Sequence, residues 1–162
     1  MLAARPEKHW ERFAQTDPYF AVLTDPRYHR NQLTDAALQE FFHSGEVHVS
    51  RVFETIRTRL DGAFHPERTL DFGCGVGRVT IPLAALSQSV VAVDASDAML
   101  RETRRNCEAR GVTNVETVLG DGALSKVAGS FDLIHSYIVF QHIPRREGDS
   151  LLRKLIALLR EN

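Results

Sequence analysis

The run Thr69-Leu70-Asp71-Phe72-Gly73-Cys74-Gly75-Val76-Gly77-Arg78 constrains the fold of this chain more than any other segment. A short apolar strand ends in three glycines at alternate positions, and an amphipathic run, Val79 to Leu86, comes directly after it. A strand that ends in glycines and opens a helix sets backbone N–H groups and a helix N-terminus against a ligand. Glycine suits the turn because a Cβ would block close approach of ligand to chain, and because tight turns often take φ > 0. Asp71, at the carboxyl end of the strand, adds a negative charge beside it. The segment therefore reads as a cofactor cradle.

Strands and helices alternate through the rest of the chain. Thr69–Phe72 is a first predicted strand, Arg78–Leu86 a helix, and Ser89–Val93 a second strand whose unbroken apolar content predicts burial on both faces. Ser96 or Asp97 caps a helix from Ala98 to Arg110, stopped by Gly111. Val115–Leu119 is a third strand and Phe131–Tyr137 a fourth; Pro144 opens a last helix with a stripe of Leu151, Leu152, Leu155, Ile156 and Leu159. Alternation of this kind implies a parallel sheet with right-handed crossovers. The first sixty residues differ: short aromatic clusters (Trp10, Phe13; Tyr19, Phe20) are stopped at Asp17-Pro18 and Asp25-Pro26. A helix capped at Thr34 or Asp35 runs through Phe42, Gly45 breaks it, and a second runs from Val47 to Leu60. The chain divides into a helical extension over residues 1–60 and an α/β core over residues 61–162.

Composition narrows the partners. A length of 162 residues suits one core. A net charge of −1 supplies no basic field for nucleic acid or for an anionic membrane surface. No apolar run approaches the ~20 residues of a membrane span. Cys74 and Cys107 make no disulfide framework, which points to a reduced, cytoplasmic setting.

Two acids complete the cradle. Asp94 ends the second strand about 20 residues beyond the turn, where a carboxylate accepts from ribose hydroxyls. Asp121, between Gly120 and Gly122 after the third strand, is placed to accept from an exocyclic amine such as that of adenine. Together they describe a nucleoside-bearing cofactor across the ends of strands one to three. A dinucleotide fingerprint wants glycine where Arg78 stands, and glycine arrives one residue early at Gly77.

Leu70-Asp71-Phe72-Gly73-Cys74-Gly75-Val76-Gly77 resembles the first motif of class I S-adenosylmethionine-dependent methyltransferases. Val91 to Ser96 resembles their second-strand motif, Gly120-Asp121-Gly122 their adenine-contacting loop, and Phe131 to Pro144 their fourth-strand motif. The four occur in the family's order over residues 69–144. The resemblance implies a Rossmann-like, mostly parallel sheet with flanking helices. It implies S-adenosyl-L-methionine as cofactor, S-adenosyl-L-homocysteine as product, and no metal. Gly73 and Gly75 would receive the amino-acid part of the cofactor, with Gly77 relaxing the entry to the helix, and Asp71 its amino group; Asp94 would take the ribose, Ala95 and Met99 the adenine face, and Asp121 with Gly122 the adenine amine. Ser136 and Tyr137 would face the sulfonium and the substrate, with His142 and Tyr137 as candidate catalytic groups.

The family's usual seven-stranded sheet continues past its fourth strand, whereas this sequence stops at Asn162, so its C-terminal strands are expected to be missing. An open fourth-strand edge would invite pairing with a second copy, or cover from the N-terminal helices. The expected activity is methyl transfer to a small-molecule acceptor, without an Asn-Pro-Pro-Tyr-type element that marks methylation of planar nitrogens. Two rivals stand beside it: a non-catalytic module that binds the cofactor and acts through dimerisation, and a nicotinamide-dependent oxidoreductase.

Overall fold

A computed structural model describes residues 6–161. Three helices come first, α1 (Pro6–Thr16), α2 (Pro18–Val22) and α3 (Asp35–Arg59), then β1 (Arg68–Phe72), α4 (Thr80–Leu86), β2 (Ser89–Asp94), α5 (Asp97–Ala109), β3 (Val115–Leu119), β4 (Leu133–His135) and α6 (Arg145–Ala157). The strands form one parallel sheet in the order β3-β2-β1-β4, with Leu70 opposite both Val91 and Ile134. The strand order reverses between β1 and β4. At such a switch point the loops beyond the strand ends diverge and leave a crevice.

Both sheet faces are covered, as the apolar content of β2 requires. On one face Val49 and Phe53 of α3 pack with Val79, Leu83 and Ala84 around α4 and with Val90, while Leu100 of α5 meets Ala92 and Cys74. On the other, Leu151 and Leu155 of α6 close over Leu70, Val91 and Val93 together with Leu124, Val127 and Phe131. Burying a Leu or Phe side chain completely contributes roughly 1.5–3 kcal/mol, so each face is a substantial source of stability. A third cluster joins the N-terminal helices to the sheet ends: Tyr19, Tyr28, Phe41 and Phe42 pack edge to face and meet Val76, Ala98 and Met99. No helix among the described residues is long and apolar enough to cross a membrane.

Two elements differ from the expectation. Gly45 does not break a helix; α3 runs unbroken from Asp35 to Arg59, capped at Thr34, whose hydroxyl accepts from the Ala37 amide at 3.2 Å. Gly45 is there for close approach. A Cβ at that position would lie 2.9 Å from the carbonyl carbon of Arg78 and nearer still to its oxygen, so only glycine lets α3 lie against the entry to α4. The fourth strand is also shorter than the apolar run suggests, covering Leu133–His135. The chain leaves the sheet after His135, and Ile138 takes a left-handed φ of 60°, a conformation that an extended strand lacks.

Beyond β4, Phe131 forms a parallel bridge with Leu159: its amide donates to Leu158 O and its carbonyl accepts from the Arg160 amide, both at 2.9 Å. Past this bridge the outer edge of β4 carries no further strand among the described residues. α3 reaches β4 through a side-chain contact, His48 on His135. The outer face of α6 leaves Leu152 and Ile156 exposed, so only Leu151 and Leu155 of the predicted stripe are core.

Candidate functional site

The glycine turn is held from three sides. The Gly73 and Cys74 amides donate to Val93 O at 2.7 and 3.0 Å, tying the turn to the end of β2. From behind, Thr103 of α5 donates to Gly75 O at 2.7 Å and Asn106 Nδ2 to Val76 O at 2.9 Å. Gly73 and Gly75 take φ of +80° and +56°, which side chains with a Cβ rarely adopt. At Gly75 the constraint is double, because a Cβ would also lie 2.7 Å from Val22 of α2. Cys74 is buried in the turn; burial, with Asp94 and Asp71 nearby, keeps its thiol protonated well above the ordinary range.

Asp94 does two tasks at once. Oδ2 accepts from the Gly75 amide and Oδ1 from the Ser96 amide, each at 2.9 Å. The carboxylate thus ties the glycine turn to the cap of α5, where Ser96 Oγ accepts from the Met99 amide. Burial raises the Asp94 pKa above the ordinary value, against the lowering effect of those amide bonds. Each oxygen accepts two hydrogen bonds, which leaves capacity for two hydroxyls.

Asp71 is almost wholly buried, with both oxygens engaged: Thr80 Oγ1 donates to Oδ2 at 2.6 Å, and His135 Nδ1 lies 3.1 Å from Oδ1. The polar contacts extend to His48 Nε2, 2.9 Å from His135 Nε2, so α3, β4, β1 and α4 meet in one polar row. Burial is the first cause that lowers the His48 pKa, followed by His135 and Arg78. Asp121 is exposed and folds its own loop, accepting from the amides of Ala123 and Ser125, both at 3.1 Å, and from the Ser125 hydroxyl; these bonds hold its pKa below the usual carboxylate value.

These groups open on one cavity of about 710 Å³ beyond the strand ends. Asp71, Gly73, Gly75, Asp94, Ala95, Met99, Asp121, Gly122, Tyr137 and His142 all line it. Gly77 and Ser136 do not. Gly77 backs onto Thr103, and the Ser136 hydroxyl is buried without a hydrogen-bond partner among the described residues. The N-terminal helices add Trp10, Ala21 and Val22 to the wall, and α6 adds Arg146, Glu147, Ser150, Leu151 and Lys154. Trp10 packs edge-on against His142 with ring centroids 4.9 Å apart, and Glu11 accepts from Ser96 Oγ at 2.6 Å and the Ala98 amide at 3.1 Å. Glu11 therefore supplies the acceptor that the first turn of α5 needs.

Two residues of the site escape sequence reasoning. Arg78 reads in sequence as the start of a helix and as a departure from a dinucleotide fingerprint, yet it is buried and lines the cavity. His48 carries a single signal, that of a polar residue within the helical stripe Phe41, Gly45, Val49 and Val52.

Residues 69–162 match the model of a methyltransferase domain family, and the chain belongs to that family. A 23S rRNA (uracil(1939)-C(5))-methyltransferase of Burkholderia pseudomallei is 28% identical over 109 residues, which is 67% of this chain and 23% of the relative. The chain thus spans about a quarter of the length of that curated relative. Among solved structures, magnesium protoporphyrin IX methyltransferase from Synechocystis PCC 6803, with bound SAM, superposes with a TM-score of 0.68 at 22% identity over 98% of this chain and 74% of that one. Haemonchus contortus phosphoethanolamine N-methyltransferase 1, in complex with phosphoethanolamine and S-adenosylhomocysteine, gives a TM-score of 0.69 at 16% identity over 97% of this chain and 30% of that one. At these identities the likeness to the solved structures is one of fold.

Proposed function

We propose that this member of the methyltransferase family binds S-adenosyl-L-methionine across the ends of β1 to β3 and transfers its methyl group to a small-molecule acceptor. The observation that carries the reading is the double engagement of Asp94: a half-buried carboxylate whose two oxygens hold the glycine turn and the α5 cap and still have lone pairs for vicinal hydroxyls. The donor set fits the cofactor. Asp94 takes the ribose, Ala95 and Met99 flank the adenine, Asp121 and Gly122 sit at its amine edge, and Gly73 and Gly75 with Asp71 receive the amino-acid end. Bound there, the sulfonium supplies an electrophilic methyl.

The chain's part is orientation, which contributes roughly 7–11 kcal/mol when reacting atoms are held in line. Tyr137 positions the acceptor at the end of β4. His142, exposed and held edge-on by Trp10, takes a proton where the acceptor is a hydroxyl. Residues 1–60 act as a lid, through Trp10, Ala21 and Val22 in the cavity wall and Glu11 on α5. The location is cytoplasmic.

Calorimetric titration with S-adenosylhomocysteine tests the reading. Wild type is expected to bind in the micromolar range and Asp94→Ala at least tenfold more weakly, or about 1.4 kcal/mol. Equal affinities would remove Asp94 from the cofactor site. Labelled-methyl assays against small hydroxy and amino acceptors, with ribosomal RNA in parallel, test the acceptor class. Transfer to RNA alone would overturn the small-molecule reading, and binding without transfer to any acceptor would leave the non-catalytic module.

A further inference from the structure

Arg78 carries a positive charge with which no acid among the described residues forms an ion pair. The residue is only 4% exposed, at the entry to α4. Among the described residues its one hydrogen bond runs from Nη1 to Ser44 Oγ at 3.1 Å, and Nε is enclosed with no partner at all. Ser44 is fixed in turn, because its hydroxyl donates to Phe41 O at 2.6 Å. The guanidinium carbon lies 5.4 Å from the Tyr137 ring centroid, and Gly45 presses on the backbone, so the side chain is held in place. The closest acid in electrostatic terms, Asp71, has already engaged Thr80 and His135. Of five guanidinium N–H donors, one is used.

Burying a cation is costly unless an opposite charge and hydrogen bonds compensate. Arginine does not escape the cost by losing its proton, since it stays charged in proteins. Burial does lower its pKa here, against the pull of Tyr137, Asp71 and Tyr28. Arg78 lines the same cavity as Asp71 and Tyr137, with its guanidinium over the Tyr137 ring. A planar fork with free donors matches a carboxylate or a phosphate, each of which accepts two parallel N–H bonds.

We propose that Arg78 is an anion-recognition residue of this cavity, receiving a carboxylate or phosphate group carried by a molecule bound beside Tyr137. The proposal rests on the methyltransferase reading for what fills the cavity and names the charge that one occupant brings. Two sources share that chemistry: the amino-acid carboxylate of the cofactor, and an anionic group on the acceptor.

The test titrates wild type, Arg78→Met and Arg78→Lys with S-adenosylhomocysteine and with its decarboxylated analogue. Thermal unfolding is then measured with inorganic phosphate, with and without saturating S-adenosylhomocysteine. If the cofactor carboxylate is the partner, wild type prefers S-adenosylhomocysteine to the analogue by tenfold or more, and Arg78→Met erases the preference. If the acceptor brings the anion, all three proteins bind S-adenosylhomocysteine alike. Phosphate then raises the unfolding temperature of wild type by a few degrees and that of Arg78→Met not at all. Arg78→Lys keeps the charge without the fork and should show a partial response in whichever arm is positive; it carries the test if the methionine variant does not fold. Identical titrations and an identical phosphate response across wild type and variants would overturn the proposal and leave Arg78 as an anchor for α3. Failure of wild type to bind S-adenosylhomocysteine would count against the cofactor reading alone, because the phosphate arm without cofactor still reports on Arg78.

Discussion

Replacing Gly45 with alanine sets two effects of opposite sign against each other, and the geometry decides between them. In a helix interior alanine is favoured over glycine by about 1 kcal/mol, so propensity alone predicts a more stable protein. The new Cβ, however, would stand 2.9 Å from the Arg78 carbonyl carbon and 3.1 Å from its Cγ, where ordinary carbon contacts fall at about 3.5–4.0 Å. The obstacle is backbone and cannot rotate away. Relief requires α3 to move off the entry to α4 by more than about an ångström, which breaks the packing of Val49 and Phe53 on Leu83 and Val90. Overpacking of this kind costs about 1–3 kcal/mol, and the upper end applies where backbone must shift. The expected net loss is about 2 kcal/mol, or a fall of about 4–8 °C in melting temperature for a chain of this length. Gly148→Ala is the matched comparison: its Cβ would find only ordinary contacts, 3.7 Å to Phe140 and 3.9 Å to Ile143, and a gain of up to about 1 kcal/mol is expected. Melting both variants by circular dichroism checks the pair. A Gly45→Ala protein as stable as wild type, or more so, would refute the close-approach account of α3.

Burial of His48 makes stability depend on pH. His48 faces His135, Arg78, Asp71 and Arg51, with the Tyr137 ring beside it, and its native pKa lies below the ordinary histidine value. The unfolded chain therefore takes up the proton first as the solution is acidified. The contribution is complete above pH ~6.5 and declines below it, with a limiting slope of about 1.4 kcal/mol per pH unit for one proton. Urea unfolding of wild type and His48→Gln between pH 7.5 and 5.5 should show the extra slope in wild type alone; parallel profiles would exclude His48 as its source. Self-association is expected at the free edge of β4 and the adjoining outer face of α6, where Leu152 is 48% and Ile156 57% exposed. Sedimentation velocity should show a concentration-dependent dimer that Leu152→Glu with Ile156→Glu abolishes; a monomer at every concentration would refute it.

Local rules sufficed where one signal was unopposed. β3 begins after Asn114 and ends before Gly120, and the observed bounds are those expected, Val115–Leu119. The cap at Ser96 and the places of Asp94 at the end of its strand and of Asp121 beyond its own came from spacing along the chain. The failures share one cause, which is that tertiary contacts leave no period in the sequence. Gly45 looked like a breaker because its packing partner, Arg78, lies far along the chain. A guanidinium buried beneath α3 reads, in sequence, as the polar start of a helix. The Asp71–His135–His48 row was hidden for the same reason, since it joins three elements that only the folded sheet brings together.

The hold of the first two helices on the cavity bears on timing. Tyr19 donates to Asn106, which supports Val76 O, and Glu11 secures the start of α5, so α1 and α2 grip the structure on both sides of the glycine turn. A ligand large enough to fill the cavity has Trp10 and Val22 against it. Its residence time is then governed by how often those few polar contacts let go together. Slow exchange of the α1 amides and slow ligand departure should therefore share one rate and one temperature dependence, as two readings of the same clasp.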